Sequence, residues 1–302
     1  MVLKQIKTIS QYHELMGLPK PEHPLVSLIN FESIRHLPND EPINIVIYFY
    51  TIGLKKNFNA RLKYGQQEYD FNNGFLTFMS PGQVLRIEIE GNEFEHSGWL
   101  LLIHPDFLWK TPLAKKISKY DFFSYSVNEA LHLSEKEEII LHGIMKSIKR
   151  EYSSNIDKFT QDIIVSQIEE LLNYSSRFYH RQFLTRQVVN HQILDKLEEI
   201  LEVYFRSDNL KMKGLPTVQY LAGELNVSPG YLSSLLKTLT GQSTQQHIHN
   251  KLIENAKEKL STTALSVSEI AFDLGFEHLQ SFSKLFKSKT SLSPLEFRKS
   301  FN

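Results

Sequence analysis

At 302 residues the chain is long for one hydrophobic core, so two domains are expected. Lys+Arg and Asp+Glu balance at 34 each, so the overall charge gives no nucleic-acid signal and only its distribution along the chain can. The lack of cysteine excludes a disulfide framework and a thiolate metal site.

The start, MVLKQIKTISQYHELMGLPKP, has no signal-peptide run. The apolar stretches IVIYFYTIGL and GWLLLI fall short of the ~20 residues that span a bilayer. A soluble, cytoplasmic protein with no membrane partner is therefore expected. Residues 1–42 combine a short helix near Ile9–Met16 with the proline-punctuated Leu18–Pro24, and read as an arm of irregular structure.

From Ile43 to Ile103 the pattern changes to short apolar segments divided by turn residues. INIVIYFYTIGL is β-branched and aromatic, as strands favour. RLKYGQQEYDF, NNGFLTFMS, PGQVLRIEIEG and SGWLLLIHP follow, each bounded by Gly, Asn or Pro. Leu85, Ile87 and Ile89 alternate with Arg86 and Glu88, which predicts one buried and one wet face. Asn72-Asn73-Gly74 and Ser80-Pro81-Gly82 are turn signals. Short antiparallel strands at this spacing predict a small β-barrel or sandwich, able to hold a small ligand.

Helical patterns come next. Ile140, Ile144, Met145, Ile148 and Tyr152 share a face between Ser134 and Tyr152, and Ser134 with Glu137 forms a capping box. Between Asp157 and Phe183 the stripe is Ile164, Ile168, Leu171, Leu172, Ser175, Phe178 and Tyr179. Between Val188 and Phe205 it is Ile193, Leu197, Ile200, Leu201 and Tyr204. These helices either pack on the β module or pair with a second subunit as an antiparallel helix dimer. SDNLKMKGLP (207–216) reads as a linker.

The last stretch, Thr217 to Phe301, is one unit written twice. Ala222, Leu225 and Asn226 answer to Ala271, Leu274 and Gly275 at a constant offset. After one extra residue in the second turn, Leu232, Leu236, Thr240 and Ser243 answer to Phe282, Phe286, Thr290 and Ser293. A helix-turn-helix explains both copies. The small alanine lets the second helix cross the first, and Asn226 or Gly275 tolerates positive φ in the turn. Leu232, Leu235 and Leu236 anchor one second helix, and Phe282, Leu285 and Phe286 the other. Ser228-Pro229 and Ser293-Pro294 are helix starts, and Ser266 with Glu269 is a capping box.

Ile248, Leu252, Ala256 and Leu260 mark a joining helix over Thr244–Leu260. It is about 25 Å long, and with side-by-side packing it can hold two recognition helices roughly one DNA turn, ~34 Å, apart. From Lys211 to Asn302 there are eleven Lys/Arg against seven Asp/Glu, so the positive charge gathers here. Lys284, Lys287 and Lys289 are read as the outer side of the second recognition helix, suited to phosphate or base contact. The matching strip of the first copy is Ser233, Ser234, Lys237 and Thr238.

AFDLGFEHLQSFSKLFKSKTSLSPLEFRKS (271–300) closely resembles the DNA-binding domain of AraC/XylS-type transcription regulators. The matching residues are Ala271, Leu274, Gly275, Phe276, Ser281, Phe282, Ser283, Phe286, Lys287, Ser293, Pro294, Phe297 and Arg298. The chain departs at Ser291, where the family usually has glycine, and at Lys251, where it usually has arginine. The resemblance implies base-reading positions at Gly230, Ser233 and Ser234, and at Leu279, Gln280, Ser283 and Lys284. Gln280 suits adenine, Lys284 guanine, and Leu279 a thymine methyl. Ser228, Lys237, Thr238, Ser281 and Lys287 are the expected backbone contacts. Gly230 stands where relatives often carry a large side chain, so specificity is expected mainly from Glu277–Lys289.

The resemblance also implies a cupin-like amino-terminal domain. The expected fold is α+β in two domains. Residues 1–206 form the β-barrel or sandwich and its helices, for effector response or dimerisation. Residues 207–302 form an all-α double helix-turn-helix. The implied function is a sequence-specific, DNA-binding transcription regulator reading successive major grooves of promoter or operator DNA. Its implied partners are a small-molecule effector, a second copy in a homodimer and, for an activator, RNA polymerase. No cofactor and no enzymatic activity are expected. The alternative is a metal-dependent cupin enzyme with an accessory DNA-binding domain. It would draw on His96 and His104 with Glu88, Glu90, Glu93 and Glu95, but no His-x-His pair occurs.

Overall fold

The structure, a computed structural model, describes residues 3–34, 43–56, 74–87, 97–126, 129–154, 156–207 and 209–300. The chain divides into two compact units, Met1–Gln182 and Phe183–Asn302.

The first unit carries strands β1 (Leu3–Ile6), β2 (Val26–Asn30), β3 (Ile43–Ile47), β4 (Tyr50–Lys56), β5 (Phe75–Met79), β6 (Gln83–Ile87), β7 (Ser97–Ile103) and β8 (Leu131–His132). They form two sheets, of order β1-β3-β6 and β2-β7-β4-β5-β8. β1 runs parallel to β3, and the other pairings are antiparallel. Among the described residues neither sheet closes on itself.

Two expectations change here. The amino-terminal arm is not irregular, because it supplies an edge strand to each sheet. Val26, Ser27, Leu28 and Ile29 are buried in succession, so β2 is covered on both faces and lacks the alternation that marks a half-exposed strand. The run INIVIYFYTIGL is two strands, and β3 and β4 belong to different sheets. The chain changes sheet at Tyr48 and Phe49. Fully buried Phe49 packs edge-on against Tyr12 of helix α1 (Ile9–Leu15), with ring centroids 6.1 Å apart. No Gly, Pro or Asn marks that corner, since packing makes it. The predicted segment RLKYGQQEYDF, the turn residues Asn72 and Asn73, and Ile89 lie outside the described residues.

After the short helix α2 (Leu113–Lys116) come α3 (Glu135–Tyr152) and α4 (Thr160–Thr185). The Ser134–Glu137 capping box is formed. On α3, Leu141 takes the core position expected of Ile140, which stays 38% exposed. All seven stripe residues of α4 are buried.

The second unit is helical: α5 (Gln187–Arg206), α6 (Asn209–Lys213), α7 (Val218–Glu224), α8 (Pro229–Thr240), α9 (Thr244–Thr262), α10 (Val267–Asp273), α11 (Leu279–Thr290) and α12 (Pro294–Lys299). Its core joins Leu197, Leu201, Tyr204 and Phe205 of α5 to Leu221, Leu232, Leu252, Ile270, Phe282 and Phe286. Helix α5, assigned from the sequence to residues 1–206, therefore packs into the carboxy-terminal core. The 207–216 segment is likewise no free linker. Leu210 of α6 is 3% exposed within that core, and the Tyr204 hydroxyl donates to the Gly214 carbonyl at 3.0 Å. Among the described residues, no helix is long and apolar enough to cross a membrane.

Candidate nucleic-acid interface

The two copies share one backbone template. After α7, Asn226 takes φ 54°, and after α10, Gly275 takes φ 80°. The following N–H closes back on the small alanine in each case: Val227 N to Ala222 O and Phe276 N to Ala271 O, both 3.0 Å. Each turn thus ties up helix-end carbonyls through a left-handed residue. Ala222 and Ala271 are each 1% exposed, as the crossing requires.

The equivalence continues past the second helices. Gly241 and Ser291 both adopt left-handed conformations, φ 73° and 64°. Their N–H groups donate to Lys237 O (3.0 Å) and Lys287 O (2.9 Å). Thr240 Oγ1 and Thr290 Oγ1 donate to the Leu236 and Phe286 carbonyls, both at 2.8 Å. Ser243 with Gln246, and Ser293 with Glu296, then cap α9 and α12. Serine at 291 therefore keeps the turn that glycine makes at 241, at the cost of a strained φ. The Ser266 backbone N–H, followed by its hydroxyl, holds the Glu269 carboxyl below the usual carboxylate range, and Ser293 does the same for Glu296.

On α8, buried Tyr231, Leu232, Leu235 and Leu236 form the inner face, which turns Gly230, Ser234 and Lys237 outward at helical spacing. On α11, Phe282 and Phe286 are both fully buried, and Gln280, Lys284 and Lys287 occupy the same outward positions, all exposed. Ser281 is exposed, Leu279 is 39% exposed, and Ser283 and Thr238 are half-buried at the flanks.

Three of the residues named from the sequence engage neighbours within the domain. Ser228 is 8% exposed, and its hydroxyl accepts from the Tyr231 N–H at 3.2 Å, so the side chain caps α8. Ser233 turns toward α9, with its hydroxyl 3.1 Å from that of fully buried Thr244. Lys289 is exposed, as expected, and its Nζ donates to Asn250 Oδ1 of α9 at 3.3 Å. Lys251, the other departure from the family pattern, pairs with Glu202 of α5. That hydrogen bond is the leading reason the Glu202 carboxyl sits below its ordinary range. Lys251 is thus a structural cation here.

Of the residues considered for a metal, His96, Glu88, Glu90, Glu93 and Glu95 lie outside the described residues. His104 caps a 3-10 turn, its Nδ1 accepting from the Asp106 N–H at 3.2 Å. Among the described residues no group of three or more His, Asp or Glu is placed to hold a metal ion.

Two helix-turn-helix units on a shared helix make up a double helix-turn-helix domain, and the second presents the more exposed second-helix face. Residues 221–300 match the family model described as a helix-turn-helix domain. The chain is 39% identical over 84 residues to the raffinose operon transcriptional regulatory protein RafR of Pediococcus pentosaceus, covering 28% of this chain and 30% of that protein. It is 28% identical over 137 residues to the transcriptional regulatory protein YesN of Bacillus subtilis, covering 45% and 36% respectively. Among solved structures, it is similar to the C-terminal domain of the two-component response regulator yesN from Fusobacterium nucleatum. Identity there is 31%, over 34% of this chain and 95% of that one, with a TM-score of 0.31. The chain spans about a third of the length of the two curated relatives it matches here.

Proposed function

We propose that the chain is a sequence-specific, DNA-binding transcription regulator that places α8 and α11 in successive major grooves of promoter DNA. The observation that carries this is the pair of faces at matching positions, half-buried Gly230 and Ser234 with exposed Lys237, and exposed Gln280, Lys284 and Lys287, on a domain of helix-turn-helix family. Base contact falls to Gly230, Ser234, Leu279, Gln280, Ser283 and Lys284, and phosphate contact to Lys237, Thr238, Ser281 and Lys287. The second copy is the stronger reader, since it presents an amide and two ammonium groups where the first presents glycine, serine and one lysine.

The amino-terminal unit, with its two sheets and long helices, is proposed as a cupin-like domain that senses a small effector or forms a homodimer in the cytoplasm. An activator would also meet RNA polymerase. Footprinting with and without candidate metabolites separates effector response from dimerisation alone.

The test of DNA reading is binding of the full chain to duplexes enriched from a random library. Affinity falls steeply with salt, and the enriched sequence is bound far better than random duplex. Replacing Gln280 or Lys284 by alanine relaxes discrimination at one position by about 1–3 kcal/mol. Lys287→Ala weakens all sequences alike. Equal binding to enriched and random duplex would end this proposal.

A further inference from the structure

A polar chain runs from the turn after α8 across α9 to α11, and no local pattern announces it. Asn250 lies on α9, Gln242 in the turn after α8, and Lys289 in the last turn of α11. Asn250 Nδ2 donates to Gln242 Oε1 at 2.8 Å, and Asn250 Oδ1 accepts from Lys289 Nζ at 3.3 Å. The ammonium group can only donate, so it fixes which end of the Asn250 amide faces it. The other end must then be the NH2 group, which in turn sets the Gln242 amide. Around it Ile248, Leu252, Ile253, Ala256 and Leu260 of α9 are buried in the core. Four other polar contacts of α9 each reach one copy: Ser233 with Thr244 and Thr240 with His247 on the first, Lys259 with Asp273 and Arg298 with the Leu260 carbonyl on the second. Asn250 bonds toward both. Apolar packing holds two bodies together without strongly fixing their rotation, whereas hydrogen bonds are directional.

We propose that Asn250 is a positioning residue that sets the spacing and angular phase of the two recognition helices, and so the half-site spacing the protein accepts. The inference rests on the DNA-reading proposal above. B-DNA advances ~3.4 Å and turns about 35° per base pair, so one inserted or deleted pair moves the second groove away from a rigidly held α11. Asn250 would not touch a base. Its effect would appear only when both copies are engaged.

The test uses the full chain and the enriched duplex, with spacers changed by one base pair either way and binding followed by fluorescence anisotropy. The unaltered protein is expected to bind the changed spacers about tenfold more weakly, within the range that separates good from imperfect sites. With Asn250→Ala that penalty should shrink to about threefold or less, while a duplex carrying only the α11 half-site is bound within about twofold of normal. Gln242→Ala should also relax the spacing rule, and Asn250→Asp, which keeps the acceptor for Lys289 but loses the donor to Gln242, should fall between. A full spacing penalty in Asn250→Ala would overturn the inference. So would an equal loss on the single half-site, which would make Asn250 a phosphate contact or a folding residue. Failure of the unaltered protein to prefer any sequence would instead sink the DNA-reading proposal itself.

Discussion

Gly275→Ala should damage the second unit much more than Gly241→Ala, although both glycines adopt left-handed backbone, φ 80° and 73°. Left-handed conformation costs an alanine about 1–2 kcal/mol at either site. At Gly241 nothing lies within 4 Å of an added Cβ, so that is the whole expected cost. At Gly275 the Cβ would sit 2.8 Å from the Leu210 carbonyl oxygen and 3.1 Å from Gly214 Cα. Both neighbours are backbone, in the segment that packs α6 against the second turn, and backbone cannot rotate away as a side chain can. Overpacking adds about 1–3 kcal/mol, which brings Gly275→Ala to roughly 2–5 kcal/mol. At roughly 4 °C per kcal/mol the two variants should separate by several degrees in Tm. Both tryptophans, Trp99 and Trp109, belong to the first unit, so their fluorescence does not report this transition. Scanning calorimetry with far-UV circular dichroism does. Equal losses in the two variants would refute the close approach of α6 to the turn.

Two further substitutions test the repeat. Ser291→Gly should raise the Tm of the second unit by the equivalent of about 1 kcal/mol, because glycine adopts its φ of 64° without strain; a lower Tm would mean that the serine side chain contributes more than its backbone costs. The capping carboxylates of Glu269 and Glu296 are held below the ordinary value of 4.5, first by the backbone N–H groups of Ser266 and Ser293. A carboxyl depressed in the folded state contributes stability above its unfolded pKa and loses it as pH falls through the folded pKa. The Tm of the second unit should therefore drop as pH falls below the ordinary carboxylate value of 4.5, and Glu269→Gln with Glu296→Gln should flatten that drop, since an amide does not titrate there. An unchanged acid profile would refute the link.

The helix-turn-helix repeat was legible because its requirements are local. A small residue at 222 and 271, a turn residue tolerant of positive φ at 226 and 275, and anchors one helical turn apart leave a periodic trace in the chain. The serine starts of α8, α10 and α12 were legible for the same reason, since a cap and its partner lie three residues apart. The amino-terminal strands were only partly so. Val26–Ile29 is covered on both faces and shows no alternation, and the change of sheet at Phe49 is marked only by burial against Tyr12.

The sequence by itself determined that residues 217–301 hold two helix-turn-helix units. Tertiary structure decided which polar side chains remain outside. Ser233 has the composition of a contact residue, but its hydroxyl meets Thr244. Lys289 lies on α11 with Lys284 and Lys287 yet reaches Asn250. Helix α5 and Leu210 join the carboxy-terminal core although an amphipathic stripe does not name the surface it will cover. Periodicity specifies that a face is buried, and only the assembled chain specifies against what.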